Sequence, residues 1–115
     1  MFQDQNYLDI AKQNEAVFRS ILRDLKENRD KRPMGHYIPT DLDTESPIDE
    51  LFKKYSKGDR FGIFTITGFD IKDNKAIISF RNIAVMSGGG AVLGYSINNK
   101  TGSAKYIKKL FSMMS

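Results

Sequence analysis

Two groups of residues in this chain have types and spacing that could do chemistry. The first is Gly88-Gly89-Gly90, inside "MSGGGAVLGYSINNKTGSAKY". Glycine-rich loops cradle phosphates when they follow a strand and open a helix, whose free N–H groups meet the anion. Here the glycines run into Ala91-Val92-Leu93-Gly94-Tyr95, which alternates as a strand does. No Lys-Ser or Lys-Thr stands at Walker spacing, and the G-x-G-x-x-G pattern is absent. The triple glycine is therefore read as a bend between two strands, where its dihedral freedom is useful. The second group is His36 with Tyr37, Asp41, Asp43 and Glu45, which could form an acid–base cluster on a loop. A single histidine in an isolated sequence more often fills a solvated or structural role.

Metal chemistry finds little support. His36 is the only histidine and there are no cysteines, so neither a multi-histidine site nor a thiolate site can form within one chain. Asp41, Asp43 and Glu45 alternate like the opening of an EF-hand loop. Such a loop needs Gly at its sixth position and Glu at its twelfth, where this chain has Ser46 and Phe52. Acidic residues just upstream of a helix, favoured by its dipole, explain the run better. No G-x-S-x-G elbow marks a nucleophilic serine. No catalytic residue, cofactor ligand or metal ligand is assigned.

The charges point elsewhere. Residues 1–59 hold 10 Lys+Arg against 12 Asp+Glu and residues 60–115 hold 8 against 2, so a −2 half is joined to a +6 half. A basic half attracts an acidic protein face, nucleic acid or anionic lipid, although lysines on strands also guard sheet edges. Arg60, Arg81, Tyr95, Lys105, Tyr106 and Lys108 are the residues expected to contact a partner. Nucleic-acid binding is disfavoured. Only two arginines lie in the basic half, there is no RNP-type run, and Phe61, Phe64, Phe69 and Phe80 sit in apolar stretches that suit a core.

The elements that must position these residues are readable. From about residue 6 to 28, Tyr7, Ile10, Ala11, Val17, Phe18, Ile21, Leu22 and Leu25 form one stripe of an amphipathic helix. Two prolines and a glycine then make an irregular connection over residues 29–45. "SPIDELFKKYSKG" predicts a short helix over 46–57, with Ser46 as N-cap, Pro47 at the first position and Gly58 as the stop. Beyond it the period changes to two over 59–112. "RFGIFTITGFDI" and "KAIISFRNIAVM" flank the turn "KDN", and "AVLGYSI" is followed by "NNKTG" and "SAKYIKKLF". The last run also fits a helical stripe, but the preceding turn favours a returning strand. Ile63, Ile66, Ile78, Phe80, Leu93 and Ile97 are candidates for the buried sheet face. The expectation is a single α+β domain over 1–115, in which a long N-terminal helix and a short second helix pack on a curved antiparallel sheet of about four strands.

No basic-then-apolar leader opens the sequence and no apolar run approaches the length of a membrane span, so a cytoplasmic protein with no membrane partner is expected. "GGGAVLGYSINNKTGSAKYIKKLF" resembles the C-terminal hairpin of small bacterial immunity proteins of the cystatin-like, or nuclear-transport-factor-like, superfamily. The resemblance covers about the last 28 residues. It implies helices seated in the concavity of a curved sheet, and a non-enzymatic protein that binds and neutralises a cognate toxin. Inhibitors of nucleases in such families are usually acidic, whereas this half is basic, so the implied toxin domain presents an acidic face. Strands apolar on both sides also admit a homodimer. The alternatives are a small-ligand or enzymatic pocket in a cone-shaped sheet, using His36 and Asp41 or Asp43, and nucleic-acid binding through the basic half.

Overall fold

The computed structural model describes residues 7–55, 63–83 and 89–114. Three helices, α1 (Tyr7–Gln13), α2 (Glu15–Glu27) and α3 (Ile48–Tyr55), precede four strands, β1 (Ile63–Lys72), β2 (Lys75–Ile83), β3 (Gly89–Ile97) and β4 (Ala104–Met114). The strands form one antiparallel sheet in the order β1-β2-β3-β4, and the helices share a core with one of its faces. This is the α+β arrangement expected. The ambiguous C-terminal run is a strand.

The long first helix is interrupted at Asn14, whose φ of −130° and ψ of 47° leave the helical region. Its side-chain amide donates to the Ile10 carbonyl at 2.9 Å, alongside its own backbone N–H at 3.0 Å. Asparagine competes for backbone acceptors in this way, which is why it ends helices. The break lets α1 pack on β1 and α3 while α2 lies over β4. On α2 the expected stripe is buried in full: Val17, Phe18, Ile21, Leu22 and Leu25.

Helix α3 opens at Ile48, where the Pro47 carbonyl accepts the N–H groups of Glu50 and Leu51 at 2.9 and 3.0 Å. Ser46, expected as the cap, donates its hydroxyl to Asp43 instead. The Asp43 carboxylate also accepts Lys54 Nζ at 2.7 Å and the N–H groups of Glu45 and Ser46 at 3.0 and 3.1 Å. With the Lys54 and Ser46 bonds contributing most, its carboxyl is held well below the usual carboxylate range. The 29–45 connection is thereby pinned down. It carries two 3-10 turns (Arg29–Lys31 and Gly35–Tyr37), buries Ile38 and Leu42, and receives a bond from Arg29 Nε to the Ile38 carbonyl at 2.8 Å. At Gly35 a Cβ would lie 1.6 Å from the Arg29 carbonyl oxygen, so only glycine fits.

In the core, Phe18 stacks on Phe52 with centroids 5.2 Å apart and meets Phe69 edge-on at 5.1 Å. One ring thus joins α2, α3 and β1, and truncating such an aromatic to alanine costs about 3–5 kcal/mol. Ile66, Ile78, Phe80 and Leu93 are buried as expected, and Ile97 packs against the core partly buried. A register shift in β1 between Ile66 and Gly68 explains why its apolar residues seemed to point both ways. The extra residue resets the alternation, so Ile66 and Phe69, three apart, both face the helices.

Gly89 and Gly90 open β3 and pair with Asn82 and Arg81 of the antiparallel neighbour β2. Gly88 lies outside the described residues. Ala91 to Ile97 is strand, so the helix amino end that a phosphate cradle requires is not there. Gly90 is glycine for a packing reason: a Cβ there would stand 2.3 Å from the Phe80 carbonyl oxygen. At Gly94 a Cβ would meet only Leu110, at 3.6 Å, an ordinary contact. Replacing Gly90 with alanine is therefore expected to cost about 1–3 kcal/mol, whereas Gly94→Ala should stay within about 0.5 kcal/mol of the parent. Equilibrium denaturation of the two variants checks this contrast.

Candidate functional site

Two clusters on the sheet have geometry that bears on function, one buried between the layers and one exposed. The buried cluster centres on Asp24 of α2. Its Oδ2 accepts the Tyr95 hydroxyl at 2.6 Å and Arg32 Nε at 2.8 Å. Its Oδ1 accepts Arg32 Nη2 at 2.7 Å and Asn28 Nδ2 at 2.9 Å. The Arg32 guanidinium lies 4.2 Å from the centre of the Tyr106 ring, and the Tyr95 and Tyr106 rings meet edge-on at 5.6 Å. Helix α2, the connection after it and β3 thus meet at one carboxylate, and β4 joins them through Tyr106 against Arg32 and Tyr95.

Burial alone would push the Asp24 carboxyl up, but the hydrogen bonds from Arg32 and Tyr95 and the charge of Arg32 outweigh it and hold it below its ordinary value. Burial, then the bond to Asp24, drives the Tyr95 phenol far above its ordinary value. A general acid or base works best with a pKa near the operating pH. These two groups are moved the other way, and their hydrogen bonds tie the helical layer to the sheet.

The acid–base grouping considered from the sequence does not assemble. His36 is exposed, with its ring centroid 4.3 Å from that of Tyr37, while the Asp43 carboxylate is committed to Ser46, Glu45 and Lys54. Among the described residues no group of three or more His, Asp or Glu could hold a metal ion. Between helices and sheet, where a cone-shaped pocket would lie, Phe18, Ile21, Leu22, Leu25, Phe69 and Phe80 fill the space with essentially no exposure. Two shallow grooves of about 410 and 400 Å³ flank the turn after β3 instead. Glu15, Arg19, Arg23 and Ser103 are among the residues lining one, and Asn14, Asp73 and Asn99 the other. Arg19 and Arg23 are already bonded to Glu15, Thr44, Ser46 and Glu45.

The exposed cluster is the sheet face turned away from the helices. Register and alternation fix its membership. Ala76, Ile78 and Phe80 point into the core, so Lys75, Ile77, Ser79 and Arg81 point out. Lys72 is paired with Lys75, Lys75 with Ser96, and Ser96 with Lys105, making a row of three lysines and a serine across all four strands. In the next row Asp70, Ile77, Gly94 and Lys108 are paired in turn. Two register shifts in β4 leave Ile107 and Leu110 as extra residues, 45% and 43% exposed, and Leu110 overlies Gly94. The face therefore has an apolar centre, Ile77 with Leu110, edged by Lys72, Lys75, Lys105 and Lys108, with Arg81 toward its far end and the exposed Ile107 next to Lys108 in the chain.

The two layers treat charge differently. All six ion pairs among the described residues lie between residues 12 and 54, in the helical layer. Lys72, Lys75, Arg81, Lys105 and Lys108 are exposed and belong to none of those pairs. Asp70 is the one acidic residue on that face among those described, and it accepts the backbone N–H of Ile71. Lys72 and Lys75 also oppose each other directly across the hairpin, an arrangement that weakens a sheet.

Of the expected contact residues, Arg81, Lys105 and Lys108 stand on this face. Tyr95 does not: it is fully buried beneath α2, because its hydroxyl is needed by Asp24. Tyr106 is half-buried on the same inner side, under Arg32. Arg60 lies outside the described residues. Lys72, Lys75, Ile107 and Leu110 are not among the contact residues expected from the sequence. Lys72 and Lys75 bracket the Asp73-Asn74 turn, which by itself places them on one face. No helix among the described residues is long and apolar enough to cross a membrane. No family model, curated protein or solved structure matches the chain.

Tyr95→Phe should isolate the contribution of the buried tie. Removing the hydroxyl leaves the half-buried carboxylate one donor short, an expected loss of about 1–3 kcal/mol at neutral pH. The pH dependence follows from the directions of the shifts. Asp24, lowered in the fold, contributes stability that is complete above the unfolded aspartate value of about 3.9 and lost as pH falls through its folded value. Tyr95, raised in the fold, contributes stability that is complete below about pH 10 and lost as pH rises further. The variant should therefore begin acid unfolding at a higher pH than the parent and lose this tyrosine's share of the alkaline decline, as followed by circular dichroism.

Proposed function

We propose that this chain is a non-enzymatic protein-binding module of the immunity type, which neutralises a toxin domain in the cytoplasm by stoichiometric contact. The observation that carries the reading is the segregation of charge. Six of the nine cations described in the helical layer are paired with carboxylates, while among the described residues the cations of the outer sheet face stand in no ion pair, around a small apolar centre. An apolar core with a polar rim is the anatomy of a protein interface, and unmatched charge of one sign steers a partner of the other. The C-terminal likeness to immunity proteins supplies the class of partner, and the sign of the face supplies its acidity.

Nucleic acid is the weaker reading. Single-stranded binders present aromatic platforms on which bases stack. Every described aromatic side chain of this sheet, namely Phe64, Phe69, Phe80, Tyr95 and Tyr106, turns toward the helices. Lysine, which predominates on the outer face, also lacks the planar fork that makes arginine the better phosphate ligand.

The reading is tested in the native genome's neighbourhood. The C-terminal domain encoded by the adjoining reading frame is expressed with and without this chain. The expected result is growth arrest that this chain relieves, with relief saturating at one chain per toxin domain and a complex surviving gel filtration. Arrest that persists with the chain in excess, or relief at far below equal amounts as an enzyme would give, contradicts it.

A further inference from the structure

We infer that the partner docks across the outer sheet face, and that the docking segment is acidic, with carboxylates flanking one or two apolar side chains. The inference rests on the protein-binding reading and adds the face, the register and the chemistry of the occupant. Lys72, Lys75 and Lys105 lie in one row across the strands, and Lys108 lies in the next, beside Ile107 and Leu110. Carboxylates meeting the lysine row would bring a neighbouring apolar side chain onto Leu110, which overlies Gly94 and, with Ile107, is one of the two large apolar residues about half exposed among those described.

Three observations choose this occupant over others. A second copy of the chain would bring its own lysines against these, and like charges across an interface cost affinity. A membrane surface would accept the lysines, but Ile107 and Leu110 offer little to insert and Arg81 and Ser79 interrupt the face beyond them. The third observation is energetic. Lys72 and Lys75 face each other directly across a hairpin, where unlike charges would stabilise the sheet and like charges weaken it. Lysines placed only for solubility do not need that pairing. A face that must receive carboxylates does, and natural binding sites commonly sacrifice stability in this manner.

The test uses the full chain and a short synthetic peptide with glutamates around a pair of leucines, together with its glutamine counterpart. Binding is followed by anisotropy and mapped by amide NMR. The acidic peptide should bind, the glutamine peptide should not, and affinity should fall with added salt. Shifts should concentrate at residues 70–81 and 92–110 and spare α1 to α3. Lys75→Glu should weaken binding about tenfold or more while raising the melting temperature, because it turns a repulsive pair into an attractive one. That combination separates lost binding from lost folding. Lys53→Glu, at an exposed position of α3, should leave both unchanged.

The inference is overturned if the acidic peptide does not bind, if its shifts map to the helical layer, or if Lys75→Glu binds as the parent does. Tighter binding to phosphatidylglycerol vesicles or single-stranded DNA than to the peptide overturns it as well, as does self-association that Leu110→Glu abolishes. Toxin neutralisation at one-to-one stoichiometry with contacts on the helices would sink this docking face and leave the protein-binding reading standing. Peptide binding without neutralisation would do the reverse.

Discussion

One carboxylate, Asp24, is shared by α2, the connection that follows it and β3, and the rest of the arrangement depends on that sharing. Tyr95 and Arg32 can both reach it only if α2 lies over the β3–β4 hairpin and the 29–45 connection turns back beside them. Half-buried ion pairs add little net stability, since desolvation consumes most of the attraction. Breaking one leaves an uncompensated charge, so what Asp24 supplies is a strong preference for one packing over its neighbours. Ser20 extends the same registration, exchanging hydrogen bonds with both the N–H and the carbonyl of Ala104 at the start of β4.

Holding the helices on one side leaves the other side of the sheet to solvent or to a partner, and the sequence has treated the two sides differently. Carboxylates are abundant where cations must be locked, as in Asp24–Arg32, Glu45–Arg23, Asp43–Lys54 and Asp49–Lys12. On the outer sheet face, among the described residues, Asp70 is the one carboxylate beside five cations. Several of the helical pairs are well exposed and contribute little each, so their main effect is to cancel the field of that layer. Among the described residues the excess of cations lies in the sheet layer, with five of them on its outer face, which favours fast, oriented encounter with an acidic surface.

Much of the fold was legible in the sequence. The stripe from Val17 to Leu25 and the Pro47–Asp49–Glu50 opening of α3 follow rules that act within one helical turn. The Asp73-Asn74 and Asn98–Ser103 turns depend on residues that tolerate unusual dihedrals: Asp73 has φ of 58° and Gly102 of 73°. What escaped depends on longer-range physics. The break at Asn14 is a side-chain competition that periodicity does not register. The shift between Ile66 and Gly68 reverses the alternation of β1, so no count of apolar positions could say which face was inward. Tyr95 and Tyr106 are expected at the contact surface from sequence, and only the fold reveals that Asp24 and Arg32 claim them. The outer face was half visible: its lysines could be named, but their alignment into rows is a property of register.

Titration of the Asp24 carboxyl carbon by NMR tests this arrangement most directly, because it needs no partner and reports the shared carboxylate itself. A midpoint below the ordinary aspartate value of about 3.9, accompanied by a Tyr95 hydroxyl proton protected from exchange, is the expected result. A midpoint at or above that value, with a freely exchanging Tyr95 proton, would mean that α2 and the hairpin are not joined through Asp24 and that the sheet face need not be turned outward.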